Sequence, residues 1–139
     1  MQNILKCTCG DHLAGFGPLV LRIAAGLVFA IHGWQKFAGG LDGTAGFLAQ
    51  LGFPLPVLMA VLLITAELAG GILLILGLFT HWVSKILAFV ALVALLTVHV
   101  TNGFFVSDGG FEFILLLFAA AISLAITGPG KWALGGKKR

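Results

Sequence analysis

Glu67 occupies the position at which a chemical role is most expected. It stands near the middle of an apolar stretch that runs from about Val57 to Leu78. A charged side chain at the centre of a bilayer costs roughly 3 kcal/mol on insertion scales, so we expect this acid to be paired, protonated or hydrated. Gly70 and Gly71 follow about one turn later and would let a neighbouring backbone approach. Glu67 is therefore expected to face protein, where it could bind a polar group or pass protons.

Further ionisable residues recur at spacings that bring them toward the same interior. In the first apolar stretch a stripe repeats every three or four residues and occupies one helix face: Arg22, Gly26, Phe29, Gly33 and Lys36. His32 flanks this stripe and is the base nearest to Glu67 in depth. His99 and Glu112 lie at matching depth on later stretches. These groups predict a polar pocket in the outer half of the bundle, open toward the outer leaflet, in which carboxylates and imidazoles bind a polar head group or pass protons.

The same groups also have a purely structural interpretation, in which they pair across helices and only set the helix register. Each of Arg22, Lys36 and Glu112 lies within about three turns of an interface and can reach water, so a structural role is at least as well supported for them. Ionisable groups at the depth of Glu67 are default site candidates, which favours function there. The candidate cluster is Glu67, His32, His99, Glu112, Arg22 and Lys36.

Two cysteines near the beginning of the chain are a possible metal site. Cys7 and Cys9 are followed by His12, and two thiols with an imidazole could ligate zinc or copper. A closed structural zinc site needs four ligands at established spacings, which this motif does not supply. The orientation derived below also places these thiols in a reducing compartment. A reduced tail without metal is therefore the favoured interpretation.

The composition indicates which elements must position these residues. Hydrophobic residues make up 60% of the chain and charged residues 9%, whereas soluble domains contain roughly 45–50% apolar and about 25% charged residues. Lipid is therefore the expected solvent. Apolar runs of about 20 residues can each cross a hydrocarbon core of roughly 30 Å, and they occupy residues 19–37, 57–78, 82–101 and 111–127. The sequence predicts an all-α membrane protein, an antiparallel four-helix transmembrane bundle.

Glycine and proline separate the predicted spans. Residues 39–56 are too polar and glycine-rich to span, although they favour a short amphipathic helix on the membrane surface. A tight turn at residues 79–81 joins the second and third spans, which must form an antiparallel hairpin. The sequence Gly128-Pro129-Gly130 ends the fourth span.

Lysine and arginine predict the orientation. With four spans both termini share one side, and that side carries every lysine and arginine except Lys36. Cytoplasmic segments are enriched in these residues, so both termini are predicted to be cytoplasmic. Residues 1–17 then form a cytoplasmic tail, residues 18–134 the membrane domain and residues 135–139 a basic tail. The positive charge is explained as a topology signal, and no nucleic-acid partner is expected.

Several blocks in this order resemble the DoxX family of small bacterial inner-membrane proteins, over nearly all of residues 19–134. The blocks are Arg22-x-x-x-Gly26-x-x-Phe29-x-x-His32-Gly33-x-x-Lys36, Gly52-Phe53-Pro54, Glu67-x-x-Gly70-Gly71-x-x-Leu74-x-x-Gly77, His99, Gly109-Gly110-x-Glu112 and Gly128-Pro129-Gly130-Lys131. The chain departs from the family after this last turn, where Trp132-Ala133-Leu134-Gly135 replaces a common serine and aspartate.

The resemblance implies an oxidoreductase, or the small membrane subunit of a thiosulfate to quinone oxidoreductase. The sequence itself contains no recognisable redox centre, because it lacks an evident axial histidine pair, a thiol pair within the spans and a dinucleotide fingerprint. Quinone or a partner subunit would then carry the electrons, and the quinone contacts would be Glu67, His32 and His99. The alternatives are a non-catalytic scaffold for partner proteins and a small-solute or proton transporter. A homo-oligomer is compatible with each of these roles.

Overall fold

The computed structural model describes residues 11–135, and all of the regular structure in that range is helical. The helices are α1 (Asp11–Ala14), α2 (Phe16–Ala38), α3 (Leu41–Gln50), α4 (Pro56–Leu76), α5 (Thr80–Ala94) and α6 (Glu112–Thr127). Cys7 and Cys9 lie outside the described residues, as does the side chain of His12. Within residues 11–135, no group of three or more histidine, cysteine, aspartate or glutamate side chains could hold a metal ion.

Three of these helices are long and apolar enough to cross a membrane. They are α2 with 23 residues, α4 with 21 residues, and α5 together with its continuation to Asn102, which has 23 residues. Helix α6 is also apolar but has only 16 residues. Large apolar side chains cover the outside of these helices, among them Val20, Leu62, Phe89 and Leu116. An apolar surface around an apolar core is what a lipid environment requires.

Helices α2 and α4 approach each other closely because glycines face each other across their interface. A Cβ atom on Gly71 would clash with the backbone of Ala30 and with the Gly26 carbonyl, and one on Gly33 would clash with the backbone at Leu68. Small residues at such positions allow backbone-to-backbone packing, which stabilises helix pairs in lipid. Gly71 therefore receives a neighbouring helix, as its place beside Glu67 predicted.

The second half of the molecule completes the core. Helix α5 packs mainly against α6, and both contact the α2–α4 pair. Buried side chains from all four helices meet in one cluster: Ala25, Phe29, Leu74, Val83, Leu87, Ala91, Leu117 and Leu124. Helix α3 lies across α4, where Ala45 and Leu48 pack against Ala60. The short helix predicted in residues 39–56 is thus present, with one side buried.

The helices have two distinct ends, which we call the loop end and the terminal end. The loop end contains α3 and residues 103–111. The terminal end contains residues 77–79 and the C-terminal segment 128–135. Helix α4 stops at Leu76 and α5 begins at Thr80, so the turn lies about two residues earlier than the predicted turn at 79–81. Gly77 and Gly128 have positive φ angles of 71° and 82°, which suits glycine at helix ends.

Candidate functional site

Glu67 forms an ion pair with Lys36. The Lys36 Nζ atom lies 2.6 Å from Glu67 Oε2, and the two side chains are 29% and 10% exposed. Gly33 makes this pair possible, because a Cβ atom there would lie 2.9 Å from the carbonyl carbon of Glu67. The sequence places His32 at the membrane depth closest to that of Glu67. In the structure, however, Lys36 is the base that contacts the Glu67 carboxylate. Helical side chains lean toward the N-terminus, so the long lysine side chain extends back into the bundle.

The ion pair lines a cavity of about 450 Å³ at the loop end. Four polar side chains contribute to its wall: His32, Lys36, Glu67 and His99. The floor is apolar and consists of Phe29, Ala91 and Leu117, all of which are buried members of the core cluster. A cavity with a mostly apolar wall and a few convergent polar groups is typical of a small-molecule site, and its size is in the usual range of about 300–1,000 Å³.

His99 is oriented by the backbone of the 103–111 loop. Its Nδ1 atom lies 2.8 Å from the carbonyl oxygen of Gly109. A carbonyl can only accept, so Nδ1 carries the proton, and in a neutral imidazole Nε2 is then an acceptor. Helix α5 is followed directly by a π-helical turn, Leu95–His99, which ends at this residue. Such turns are frequent at functional sites, since they change the direction in which side chains point.

Glu112 holds the loop and does not line the cavity. Its Oε1 atom accepts a hydrogen bond of 2.7 Å from the backbone N–H of Val106. The backbone N–H of Glu112 in turn donates to the carbonyl of Phe104. These bonds fasten residues 103–111 across the loop end, and Val106 and Gly109 form part of the cavity wall. Glu112 therefore positions the loop that covers the site.

Arg22 lies at the terminal end, away from the cavity. Its guanidinium group donates to the carbonyls of Leu74 and Ile75 at the end of α4, and to those of Lys131 and Trp132. The side chain is only 2% exposed. A cation suits this position because the last carbonyls of a helix lack intrahelical partners. Of the candidate cluster, the structure thus brings together Glu67, Lys36, His32 and His99, and separates Arg22 and Glu112 from them.

The same contacts explain how the chain tolerates a different sequence at residues 132–135 from the one common in similar proteins. Arg22 binds backbone carbonyls, not the side chains of residues 131–132, and Leu134 donates its N–H to the carbonyl of Leu76 over 3.0 Å. The side chains present here add contacts of their own, since the Trp132 ring packs edge-to-face on Phe16 with centroids 5.6 Å apart and Lys131 Nζ lies 4.4 Å from the Phe16 ring centroid. The chain therefore closes its terminal end without the serine and aspartate common in similar sequences.

Several cavity residues were missed by sequence reasoning. Phe113 and Ile114 of α6 line the site although both are apolar, and Val106 and Gly110 reach it from the loop. Apolar lining residues carry no signal that distinguishes them from core or lipid-facing residues. Gly110 had a signal, since a paired glycine before a helix suggests a close backbone approach. A Cβ atom there would clash with the carbonyl of Gly103.

Comparison with known proteins relates this geometry to a family. The DoxX family model matches residues 17–100, which is more than half of the chain. The chain belongs to the DoxX family. The matched range contains all four polar side chains of the cavity wall: His32, Lys36, Glu67 and His99. It ends before the loop and α6, which complete the DoxX cavity in this chain.

Three curated relatives are similar over most of their lengths. The chain is 38% identical over 118 residues to "Putative oxidoreductase CatD" of Bacillus subtilis (strain 168), covering 85% of this chain and 84% of CatD. It is 36% identical over 121 residues to "Inner membrane protein YphA" of Escherichia coli (strain K12), covering 84% and 86%. An "Uncharacterized protein" of Haemophilus influenzae (strain ATCC 51907 / DSM 11121 / KW20 / Rd) is 33% identical over 120 residues, covering 84% and 87%. No solved structure matches the chain.

The family and the helices together establish the location of the protein. A DoxX relative is named as an inner membrane protein, and this chain contains three helices that are long and apolar enough to span. It is a multi-pass inner-membrane protein in contact with the lipid bilayer.

Proposed function

We propose that the chain is a membrane subunit of a redox assembly, and that its cavity receives the head group of a quinone and handles the protons of that group. The observation that carries this proposal is the Lys36–Glu67 ion pair beside His32 and His99 in one largely apolar cavity. The name of CatD, which describes an oxidoreductase, agrees with a redox role.

The polar groups suit both oxidation states of a quinone. The two ring carbonyls of the oxidised form accept hydrogen bonds, for which the Lys36 ammonium group is a donor. The hydroxyls of the reduced form donate, and the Glu67 carboxylate and the Nε2 atom of His99 are acceptors. Reduction adds two electrons and two protons to the ring. A partner subunit or a soluble reductant would deliver the electrons, while Glu67 and the histidines exchange the protons.

The proposal includes an antiparallel bundle of four spans with both termini in the cytoplasm. Support comes from the C-terminal segment, because Lys131 N donates to the Gly15 carbonyl over 2.9 Å at the beginning of α2. The chain after α6 thus returns to the terminal end, while residues 103–111 before α6 lie at the loop end. The 16 residues of α6 extend roughly 24 Å at 1.5 Å per residue. The cavity then lies in the outer half of the membrane.

The two alternative roles have less support from the geometry. A scaffold that binds partners through glycine-lined faces would need those faces to be free, yet Gly26, Gly33 and Gly71 pack within the α2–α4 interface. The open glycines Gly43 and Gly46 lie on the short helix α3, outside the long apolar helices. A transporter would need a path along the bundle, yet the core cluster continues beyond the cavity floor, and its members Leu74, Leu87 and Leu124 are fully buried.

A binding measurement with Glu67→Gln tests the proposal. The variant protein, purified into lipid nanodiscs, is expected to bind the reduced form of a ubiquinone-type quinone about tenfold more weakly, because the charged acceptor for its hydroxyl group is lost. Asp42→Asn is the matched control, since Asp42 is an exposed carboxylate on α3 and does not line the cavity.

The control is expected to bind like the wild type. Equal affinity for the reduced quinone in Glu67→Gln and wild type would contradict the proposed role of Glu67. Wild-type protein that binds no quinone, but co-purifies in mild detergent with a stoichiometric protein partner, would favour the scaffold.

A further inference from the structure

The cavity is enclosed unevenly, and this asymmetry locates its opening. Its floor is tight, since Phe29 and Ala91 are at most 2% exposed, and the other α5 residues of the wall, Val90 and Ala94, are half-buried. The exposed lining side chains are on other elements: His32 on α2, Phe113 on α6 and Val106 on the loop between α5 and α6. The exposed part of the wall therefore faces the gap between α2 and α6 at the loop end.

We propose that the cavity opens sideways into the lipid between α2 and α6, and that the isoprenoid tail of the bound quinone leaves through this opening, past Phe113. This inference rests on the quinone site proposed above. It adds that the bound quinone carries a long tail, the path of this tail and a positioning residue.

The route along the bundle axis is covered by the loop. Glu112 accepts the Val106 N–H, and both His99 and Asn102 lie within hydrogen-bond distance of the Gly109 carbonyl, at 2.8 and 3.3 Å. These bonds hold residues 103–111 across the loop end. On the opposite side the core cluster blocks passage toward the terminal end. The sideways opening is thus the one that leads from the polar groups to the bilayer.

The size and polarity of the cavity require a tail that projects outward. A volume of about 450 Å³ is enough for a ring with its substituents. It cannot also contain a long isoprenoid chain. Outside the opening, α6 presents exposed apolar residues to the lipid, among them Leu115 and Leu116. An amphiphile with its head beside Lys36 and Glu67 and its tail in lipid therefore matches the surface on both sides of the opening.

Phe113 is placed to position the tail. It is the second residue of α6, it lines the cavity, and its side chain is 41% exposed. A ring that contacts both the cavity and the outside lies at the rim of the opening. A larger side chain there would narrow the opening without touching Lys36 or Glu67.

The first test compares two quinones on the full-length protein in nanodiscs. One is a dimethoxybenzoquinone with a long isoprenoid tail, and the other is the same ring with a methyl group in place of the tail. Phe113→Trp is expected to weaken binding of the tailed quinone about tenfold, by overpacking the space that the tail occupies. Binding of the tail-free ring is expected to stay within about twofold of wild type, because equilibrium affinity depends on the bound state.

Ile126→Trp is the matched control, since Ile126 is an exposed α6 residue near the terminal end that does not line the cavity. It is expected to leave both affinities unchanged. Retained binding of the tail-free ring to Phe113→Trp also shows that this variant is folded.

The second test uses wild-type protein and needs no substitution. A quinone with a diazirine on the first isoprene unit is bound, irradiated and mapped by peptide mass spectrometry. We expect labelled residues on α2 and α6. Labels confined to α4 and α5 would overturn the sideways opening, whatever the variants do.

The outcomes separate the two proposals. If neither quinone binds to the wild type, both the quinone site and its opening fall. If both quinones bind and Phe113→Trp weakens both equally or neither, the quinone site stands and the opening is wrong.

Discussion

At the scale of single residues, the Lys36–Glu67 pair explains how a carboxylate is held inside a membrane helix. The two groups lie 2.6 Å apart and neutralise each other, with Glu67 buried and Lys36 partly exposed. A paired charge in a low-dielectric interior contributes little net stability, but removal of one partner leaves the other uncompensated and costs about 3–5 kcal/mol. Replacing one member of the pair is thus expected to lower the stability of the protein more than replacing both members.

We therefore predict that the effects of Lys36→Met and Glu67→Leu on the free energy of unfolding are coupled. Each single variant is expected to destabilise the protein, and the double variant should be destabilised by clearly less than the sum, with a coupling of about 1–3 kcal/mol. Thermal or denaturant unfolding in detergent micelles measures the free energies of unfolding of the wild type and the three variants.

Lys85→Met is the control for loss of a lysine, because Lys85 is exposed and contacts the ring of Trp82. It should show no coupling to Glu67→Leu. Additive effects of Lys36→Met and Glu67→Leu would mean that the pair does not form.

Arg22 shows that an ionisable residue within a span can have a structural role. It shares a helix face with Lys36 but lies about 21 Å from it along α2, at 1.5 Å per residue. Its four hydrogen bonds to carbonyls join α2 to the end of α4 and to the C-terminal segment. The structural interpretation, which the sequence supported at least equally for Arg22, agrees with these contacts.

At the scale of elements, the α2–α4 interface sets the geometry of the ion pair. Gly26 and Gly33 on α2 and Gly71 on α4 leave no room for side chains between the backbones. Because Lys36 extends from the same interface, any widening of it would also separate Lys36 from Glu67. Packing and site chemistry therefore depend on the same glycines.

This dependence predicts opposite effects for two glycine-to-alanine substitutions. Gly33→Ala should destabilise the protein by about 1–3 kcal/mol, because the new Cβ atom would clash with the backbone at Leu68 and force the helices apart. Gly46→Ala should be neutral or stabilising by roughly 0.5–1 kcal/mol, because a Cβ atom there meets nothing within 4 Å and alanine favours a helix. Unfolding midpoints measure both. Equal effects of the two substitutions would contradict this account of the interface.

The two irregular turns that follow α5 are elements that the apolar pattern did not predict. The sequence indicated a regular span up to about residue 101, whereas residues 95–99 form a π-helical turn and residues 100–102 a 3-10 turn. The N–H of Val100 bonds to the carbonyl of Leu95, five residues earlier. Hydropathy records whether a residue is apolar, and it is insensitive to one extra residue in a turn.

At the scale of the whole molecule, the proposed orientation predicts which residues face each side. With four spans and cytoplasmic termini, Ser107→Cys at the loop end should react with a membrane-impermeant maleimide in intact cells. Leu134→Cys and Phe79→Cys at the terminal end should react only after permeabilisation. All three positions are exposed.

The experiment also tests whether the 16-residue α6 crosses the membrane. Labels are read in a background in which Cys7 and Cys9 are replaced by serine. If α6 does not cross, Ser107→Cys and Leu134→Cys will label on the same side. If the orientation is inverted, Phe79→Cys and Leu134→Cys will label in intact cells and Ser107→Cys will not.

The sequence by itself determined the class of protein, the family, the approximate limits of its apolar helices, and the inward direction of Glu67. Helix α2 begins and ends within about three residues of the predicted span, and α6 ends at Thr127 as predicted. These features could be predicted because apolar runs, glycine and proline act locally along the chain. The tail boundaries, the orientation and the quinone contacts stay predictions.

The tertiary structure alone decided which polar residues share a site. It paired Glu67 with Lys36 and not with His32, brought His99 to the same cavity through a π-helical turn, and left Arg22 and Glu112 elsewhere. The physical reason is that partner choice depends on how helices are rotated and displaced against each other and on how far each side chain reaches. Those quantities are set by contacts between residues distant in sequence, such as Gly33 against Leu68, and no local pattern along the chain specifies them.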